Sequence, residues 1–332
     1  MSVRSRRGCR TTKECELSDS PTPNGHDVRA FVGHVDQALG FTIPARHARG
    51  RLVRLGTTLD TILGAHNYPP AIERLLAEAL VLTALLGSLL KDVDGQLTLQ
   101  AQTSGGVVDL LVCDYRGGEM RGYVRHDPDK LAEAPVDPSL FALFGKGYLA
   151  ITFDQALTGE RYQGIVPLEG GSLAHAAESY LSQSEQIPNL VRLASLSDRT
   201  HGCVAAGLLV QHLPEGEEGR ERLHTRMDHP EWDHVRALAQ TISPDELTDR
   251  ALPLDGIAWR LFHEEREIRV LDPIVLSRGC RCDPEHIRGV LSRFPAEERA
   301  TMADEDDLIH VDCEFCSRRF SLSLAEVTPS GA

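Results

Sequence analysis

The sequence predicts an α+β fold: an N-terminal antiparallel-sheet and helix domain, a charged helical linker and a small C-terminal cysteine-bearing domain. Three observations predict it. Strand-like segments come in runs punctuated by paired glycines, rather than alternating one by one with helices. After them, 22 of the 58 residues from 213 to 270 are charged, about 38% against 25% for the whole chain. Near the end stand four cysteines in two close pairs, Cys280 with Cys282 and Cys313 with Cys316. The boundaries that follow are a disordered extension over 1–26, the N-terminal domain over 27–213, the linker over 214–270 and the cysteine domain over 271–332.

Taken in order, Met1 to Ser20 is rich in Arg and Ser but has no apolar core of a signal peptide, and Glu14, Glu16 and Asp19 weaken a transit-peptide reading. Pro21 to Asn24 ends the extension. Pro69-Pro70 opens a strong helix, with Ile72, Leu75, Leu76, Ala79 and Leu80 at helical spacing and the pattern running on to Leu90. Pro70 suits the first turn, where a missing N–H costs nothing. The period then changes. Gln96 to Thr103, Val107 to Tyr115 and Met120 to His126 read as strands, and Gly105-Gly106 and Gly117-Gly118 between them favour an antiparallel meander. Further strands are expected at Tyr148 to Asp154 and Tyr162 to Pro167, a helix from Ser172 to Gln183, and a buried strand from Cys203 to His212.

The linker shows short helical patterns at Glu231 to Ile242 and Pro244 to Arg250, and it contains both tryptophans, Trp232 and Trp259. A highly charged segment with a few large anchors can dock on a surface without a core of its own, which makes it marginally stable. An ordinary exposed helical linker fits the same composition. In the last domain, Pro284 to Phe294 reads as a helix. Leu308 to Cys313 and Arg319 to Leu324 read as a hairpin whose turn holds Cys313-Glu314-Phe315-Cys316.

Composition excludes several classes. With 332 residues, 41% hydrophobic content and a net charge of −14, the chain can build real cores but lacks the basic balance of a nucleic-acid binder. The most apolar stretch, Ala79 to Leu90, is too short to span a membrane. There is no P-loop and no dinucleotide-binding glycine motif. His263-Glu264 begins like a zinc protease helix, but position 267 is Glu rather than the second His. Gly170-Gly171-Ser172 is not a nucleophile elbow, and Cys313-x-x-Cys316 lacks the βαβ setting of a thioredoxin-like redox site. Glu185 to Pro188 carry no chemistry that residue type alone reveals. No catalytic constellation emerges, so the chain does not read as an enzyme.

The four cysteines carry most of the information. They form C-x-C, a gap of 30 residues, then C-x-x-C. Two close pairs of thiolates can each grip one edge of a tetrahedral zinc site, so the C-terminal domain is expected to bind one Zn²⁺. About sixty residues with few large apolar groups build little core. Metal should then supply much of the folding free energy, on the order of 10–16 kcal/mol for structural zinc peptides. Loading the site needs reduced thiolates, which fits the cytosol. Cys280-Arg281-Cys282 is the unusual pair: oxidised, it would close a very small and strained ring, and strained disulfides are the labile kind. Both readings stand on the spacing, a structural clasp and a redox switch, with the clasp the commoner use of four-sulfur sites. His286 and His310 flank the cysteines but are not needed in a complete shell. Cys113 and Cys203 lie in apolar strands and are expected to be buried and inert. Cys9 and Cys15 fall in the extension and are expected to have no role.

Several motifs together resemble the 33 kDa heat-shock chaperone family, the redox-regulated holdases of the bacterial cytosol. They are Tyr162-Gln163-Gly164-Ile165-Val166-Pro167-Leu168, Tyr180-Leu181-Ser182-Gln183-Ser184-Glu185-Gln186-Ile187-Pro188, Ala205-Ala206-Gly207-Leu208-Leu209-Val210-Gln211 and Leu261-Phe262-His263-Glu264. The C-x-C…C-x-x-C run completes the set, and the resemblance covers roughly residues 27 to 325. The extension departs from the family pattern. So does Asp283, where a small polar residue is expected; it is expected to tune the site slightly.

The resemblance implies that the zinc ligands are Cys280, Cys282, Cys313 and Cys316. It implies that oxidation pairs Cys280 with Cys282 and Cys313 with Cys316, releasing the metal and unfolding the tail. The linker would then let go and expose apolar surface to unfolding client proteins. The family further implies a monomer when reduced, a homodimer when oxidised, and no use of ATP. This tips the balance between clasp and switch towards the switch. Two alternatives remain: a constitutive zinc-stabilised scaffold, and an enzyme with an unrecognised pocket in the strand-rich domain.

Overall fold

The computed structural model describes residues 35–168, 171–198, 202–213 and 229–327, and from Val35 onward these belong to one compact unit. The extension with Cys9 and Cys15, and the first part of the charged segment, lie outside the described residues.

The chain enters through β1 (Gln37–Ile43) and β2 (Ala48–Leu55), then the short helix α1 (Thr57–Leu63). These three elements are additions to the sequence reading. Gly40, Gly50, Arg49, Arg51 and Arg54 interrupt the apolar pattern, and no glycine pair marks the turn. Helix α2 (Pro70–Gly87) follows as expected. Next come β3 (Gln96–Thr103), β4 (Val108–Arg116) and β5 (Glu119–His126), then α3 (Pro128–Glu133) and α4 (Leu140–Phe144). Strands β6 (Gly147–Asp154) and β7 (Arg161–Pro167) lead to α5 (Leu173–Ser184), and a long hairpin is formed by β8 (Asn189–Asp198) and β9 (Gly202–His212). The sequence reading lacks β8.

Two six-stranded sheets result. In the first, β1, β2, β9 and β8 run antiparallel in that order. The second has the order β5-β4-β3-β6-β7, again antiparallel. The β4–β5 turn is Gly117-Gly118, both at positive φ (55° and 89°), the conformation that a two-residue hairpin demands. Helix α2 lies between the sheets. Its residues from Leu75 to Gly87 are almost all buried, packed with Val53 and Leu55 of β2, Leu209 of β9, and Leu99 and Leu111 of the second sheet. A helix apolar all round has to sit in a core.

Helices α6 (Pro230–Ala239), α7 (Pro244–Thr248) and α8 (Leu254–Phe262) of the charged segment cover the other face of the first sheet. Under them Leu39, Phe41, Leu52, Leu208 and Val210 form a second core with Trp232, Val235, Ile257 and Phe262. Strand β9 is therefore apolar on both faces, Ala205 and Leu209 towards α2 and Ala206, Leu208 and Val210 towards the helices. Trp232 is an anchor at 3% exposure, but Trp259 is not: it is 63% exposed beside His263. The helical period puts Ala258 and Phe262 on the buried side of α8, which turns Trp259 outward.

After α8 the chain becomes a strap. Short strands β10 (Arg269–Val270) and β11 (Ile274–Val275) pair with β1, and β12 (Ser277–Arg278) pairs in parallel with β5. Leu276, between them, is buried in the core around α2. Beyond lie α9 (Pro284–Leu291), α10 (Ala296–Met302), the hairpin β13 (Leu308–Asp312) with β14 (Arg319–Ser323), and α11 (Leu324–Val327). Among the described residues this part has a small core of its own, Leu291, Ile309, Leu322 and Val327, with Ile287, Ala303, Val311 and Leu324 partly buried against it.

Candidate metal centre

Each cysteine pair is placed by a tight turn. The first follows the strap: the Gly279 N–H donates to Met120 O at 2.9 Å, holding the chain on β5 up to Cys280. Directly after Cys282, Asp283 caps α9, its carboxylate accepting from the backbone N–H groups of Glu285 (3.0 Å) and His286 (3.3 Å). Capping, then, is what Asp283 does next to the site. The second pair sits in the β13–β14 turn. There Cys313 N–H donates to Arg318 O (2.9 Å), and Cys316 N–H (3.2 Å) and Ser317 N–H (2.8 Å) donate to Cys313 O, with Ser317 at φ 54°.

These turns bring all four expected cysteines together. Their Sγ atoms lie within 4.8 Å of one another, with Cys280 to Cys313 and Cys282 to Cys316 both at 3.6 Å. A tetrahedron of thiolates at about 2.3 Å from zinc has edges of about 3.8 Å. The cluster fits such an ion and could hold it.

The electrostatics point the same way. Burial raises the Cys280 thiol, but hydrogen bonds from the Cys282 N–H and from the neighbouring sulfurs outweigh it and pull Cys280 down to about 7. Burial and the bonds to Cys280 and Cys316 push Cys282 up to about 12, and burial also raises Cys313. One sulfur thus ionises readily at the expense of its neighbours. Four thiolates this close need the charge of a cation.

The cluster is fastened to the second sheet by groups that spacing arguments miss. The Phe315 ring, within the C-x-x-C turn, packs edge-on against Tyr123 of β5 with centroids 4.9 Å apart. Arg121 stacks over the same ring at 4.0 Å and pairs with buried Asp114 at 2.6 Å. Arg281, inside C-x-C, donates to Gln96 Oε1. Ser317 Oγ lies 3.3 Å from His66 Nδ1. The one sequence signal was Phe315 itself, a large aromatic in a turn of small and charged residues.

Other expected residues stand apart from the cluster. His310 bonds to Ser321 Oγ (2.8 Å) and Asp304 (2.9 Å), and His286 is exposed at the start of α9. Cys113 is fully buried, and burial raises its thiol strongly. Cys203 is only half-buried, because β9 begins at the sheet margin; its N–H donates to Asp60 at 2.8 Å. Among the described residues no helix is long and apolar enough to cross a membrane.

A family model described as Hsp33 protein matches residues 36–323. The chain belongs to the Hsp33 family. Among its relatives is the 33 kDa chaperonin of Caulobacter vibrioides NA1000/CB15N, 41% identical over 304 residues, covering 89% of this chain and 98% of the relative. The 33 kDa chaperonin of Shigella boydii is 34% identical over 284 residues, covering 84% and 90%. The Hsp33 homologue of Thermotoga maritima, a solved structure, superposes with a TM-score of 0.73 over 89% of this chain and 97% of that one; at 22% identity the likeness is one of fold. Hsp33 proteins are chaperones, and the clustered C-terminal cysteines of this chain are compatible with a redox-regulated zinc site.

Proposed function

We propose that this Hsp33-family chain is a redox-regulated, ATP-independent holdase of the bacterial cytosol rather than an enzyme. Cys280, Cys282, Cys313 and Cys316 hold one Zn²⁺ in the reduced, inactive, monomeric state. The observation that carries this reading is the sulfur cluster itself, set in a module with a small core of its own. Such a core contributes little, so the metal supplies most of the module's stability.

Four thiolates around one Zn²⁺ keep a formal charge of −2 and stay electron-rich. Each pair gives two electrons to one hydrogen peroxide: an S–S bond forms, the O–O bond breaks, and two protons complete two waters. Cys280 pairs with Cys282 and Cys313 with Cys316, and the oxidised sulfurs no longer ligate the ion. The module unfolds, and Phe315 and the strap lose their frame. Helices α6–α8 then leave the first sheet and uncover its apolar face for unfolding client proteins. In this reading residues 27–213 bind clients and dimerise, 214–270 are the releasable cover and 271–332 the switch.

The test follows zinc release with a chromogenic chelator during peroxide treatment at mildly raised temperature, with tryptophan fluorescence read on the same sample. The reading predicts loss of about one zinc per chain, a fluorescence change as Trp232 leaves its core, and a new ability to suppress aggregation of a denatured client. Zinc that leaves without any gain of activity would return the cluster to a structural role.

A further inference from the structure

A second group of metal-ligating side chains lies away from the cysteines, where the first sheet meets its helical cover. His212, the last residue of β9, is 1% exposed, and its N–H donates to Pro188 O at 2.9 Å. His229 caps α6, and Glu231 stands in the first turn of that helix. The ligand atoms of the three side chains lie within 4.8 Å of one another. The two imidazoles face each other with centroids 5.0 Å apart and planes 33° apart, and Trp232 closes the apolar side at 6.2 Å from His212. The Glu231 Oε2 atom is buried with no hydrogen-bond partner among the described residues. A buried carboxylate oxygen left so is costly unless a cation answers it.

We propose that His212, His229 and Glu231 form a second metal site, for a divalent transition-metal ion that favours imidazole, such as zinc, with the remaining position open to water. Two imidazoles and one carboxylate are a borderline donor set suited to zinc, cobalt or nickel, and weaker for zinc than four thiolates. Glu231 supplies negative charge against the ion. The hydrogen bond that His229 Nδ1 accepts from the Glu231 N–H is long, at 3.3 Å, so a metal at that nitrogen would displace a weak contact.

The placement gives the site a consequence. One ligand belongs to the sheet, one caps α6 and one stands in its first turn, so an ion held by all three ties α6 to β9. Occupancy would oppose lifting of the cover. The site is independent of the cysteine cluster, and its existence does not rest on the redox reading.

The experiment titrates the reduced full chain, already loaded with one zinc, with zinc chloride by calorimetry, and follows melting temperature alongside. The expected result is a second, weaker equivalent that raises the melting temperature. His229→Ala and Glu231→Gln should each keep the first zinc and the far-ultraviolet spectrum while weakening the second equivalent at least about tenfold. Should one variant fold poorly, the other decides. A chain that takes up one zinc only, or a second equivalent of unchanged affinity in both variants, would overturn the proposal.

Discussion

The Phe315 ring, set between Cys313 and Cys316 in the C-x-x-C turn, meets the Tyr123 ring of β5 edge-on at 4.9 Å. Phe315 therefore joins the cysteine cluster to the sheet surface, since the turn that sets its position is the turn that carries Cys313 and Cys316. An aromatic pair contributes about 0.5–1.5 kcal/mol beyond its burial, and the Arg121 stack about 0.5–1 kcal/mol at a site of this exposure. Phe315→Ala should loosen the module from the sheet by roughly 1–2 kcal/mol without loss of zinc. Faster hydrogen exchange at Ser277 and Gly279, whose N–H groups bond to Gly118 and Met120, together with unchanged zinc content would show it. Unchanged exchange there would mean that the strap and the Arg281–Gln96 and Ser317–His66 contacts hold the module without Phe315.

A second fastening lies under the helical cover. Buried Arg54 of β2 donates to Leu247 O (3.0 and 2.8 Å) and Leu252 O (2.7 Å), binding the end of α7 and the loop before α8 to the first sheet. Burial lowers its pKa only to about 10, so it is charged at neutral pH. Arg54→Met would leave those carbonyls without donors, at a cost of about 2–4 kcal/mol. The cover of the reduced chain should then open at lower temperature, seen as an earlier Trp232 fluorescence transition with zinc still bound. A transition at the wild-type temperature would show that apolar packing alone keeps the cover down.

What was legible in the sequence follows the physics of each part. That Cys280, Cys282, Cys313 and Cys316 come together could be read because each pair is set by local spacing, and α2 and the β3–β5 meander could be read because their periodicity and glycine turns are local too. Strands β1, β2 and β8 were missed although β1 pairs with neighbouring β2 and β8 with neighbouring β9: Gly and Arg residues in β1 and β2, and Arg192, Ser195 and Ser197 in β8, break the apolar pattern, and the second partner of β2, β9, lies about 160 residues away. Arg54 breaks the apolar pattern of β2, and residue type alone does not show that it is a buried donor to the cover. Trp259 looked like an anchor because composition records size and not facing. The parallel pairing of Ser277 with Glu119 and Arg278 with Met120 had no sequence signal at all.

His66 gives the docking a pH dependence. It stacks on Tyr68 at 4.8 Å and touches Ser317 beneath the cysteine turn. Burial lowers its pKa from 6.5 and Arg278 acts in the same direction, while the Phe315 backbone and Glu314 oppose them. The folded chain thus prefers neutral His66. Its contribution is complete above pH 6.5 and is lost as the pH falls below that value, because the unfolded state then takes up the proton more readily. The melting temperature of the zinc-loaded chain should fall less steeply below pH 6.5 in His66→Gln than in wild type. Identical slopes, with zinc content equal in both, would remove His66 from the account.

Cys282→Ser tests the link between the metal and the cover. A serine hydroxyl does not ionise to replace the lost thiolate, so zinc affinity should fall at least about tenfold. With a small core of Leu291, Ile309, Leu322 and Val327 behind it, the module cannot make up that loss and should be partly unfolded even with reductant present. Phe315 and the strap then have no fixed frame to pull against, and α6–α8 should release a fraction of the apolar sheet face. The expected outcome is substoichiometric zinc and measurable suppression of client aggregation without oxidant. A variant that retains full zinc and stays inactive would sink the prediction. One that loses zinc and stays inactive would separate the cover from the metal, leaving Arg54 and the Trp232 core as what holds the helices in place.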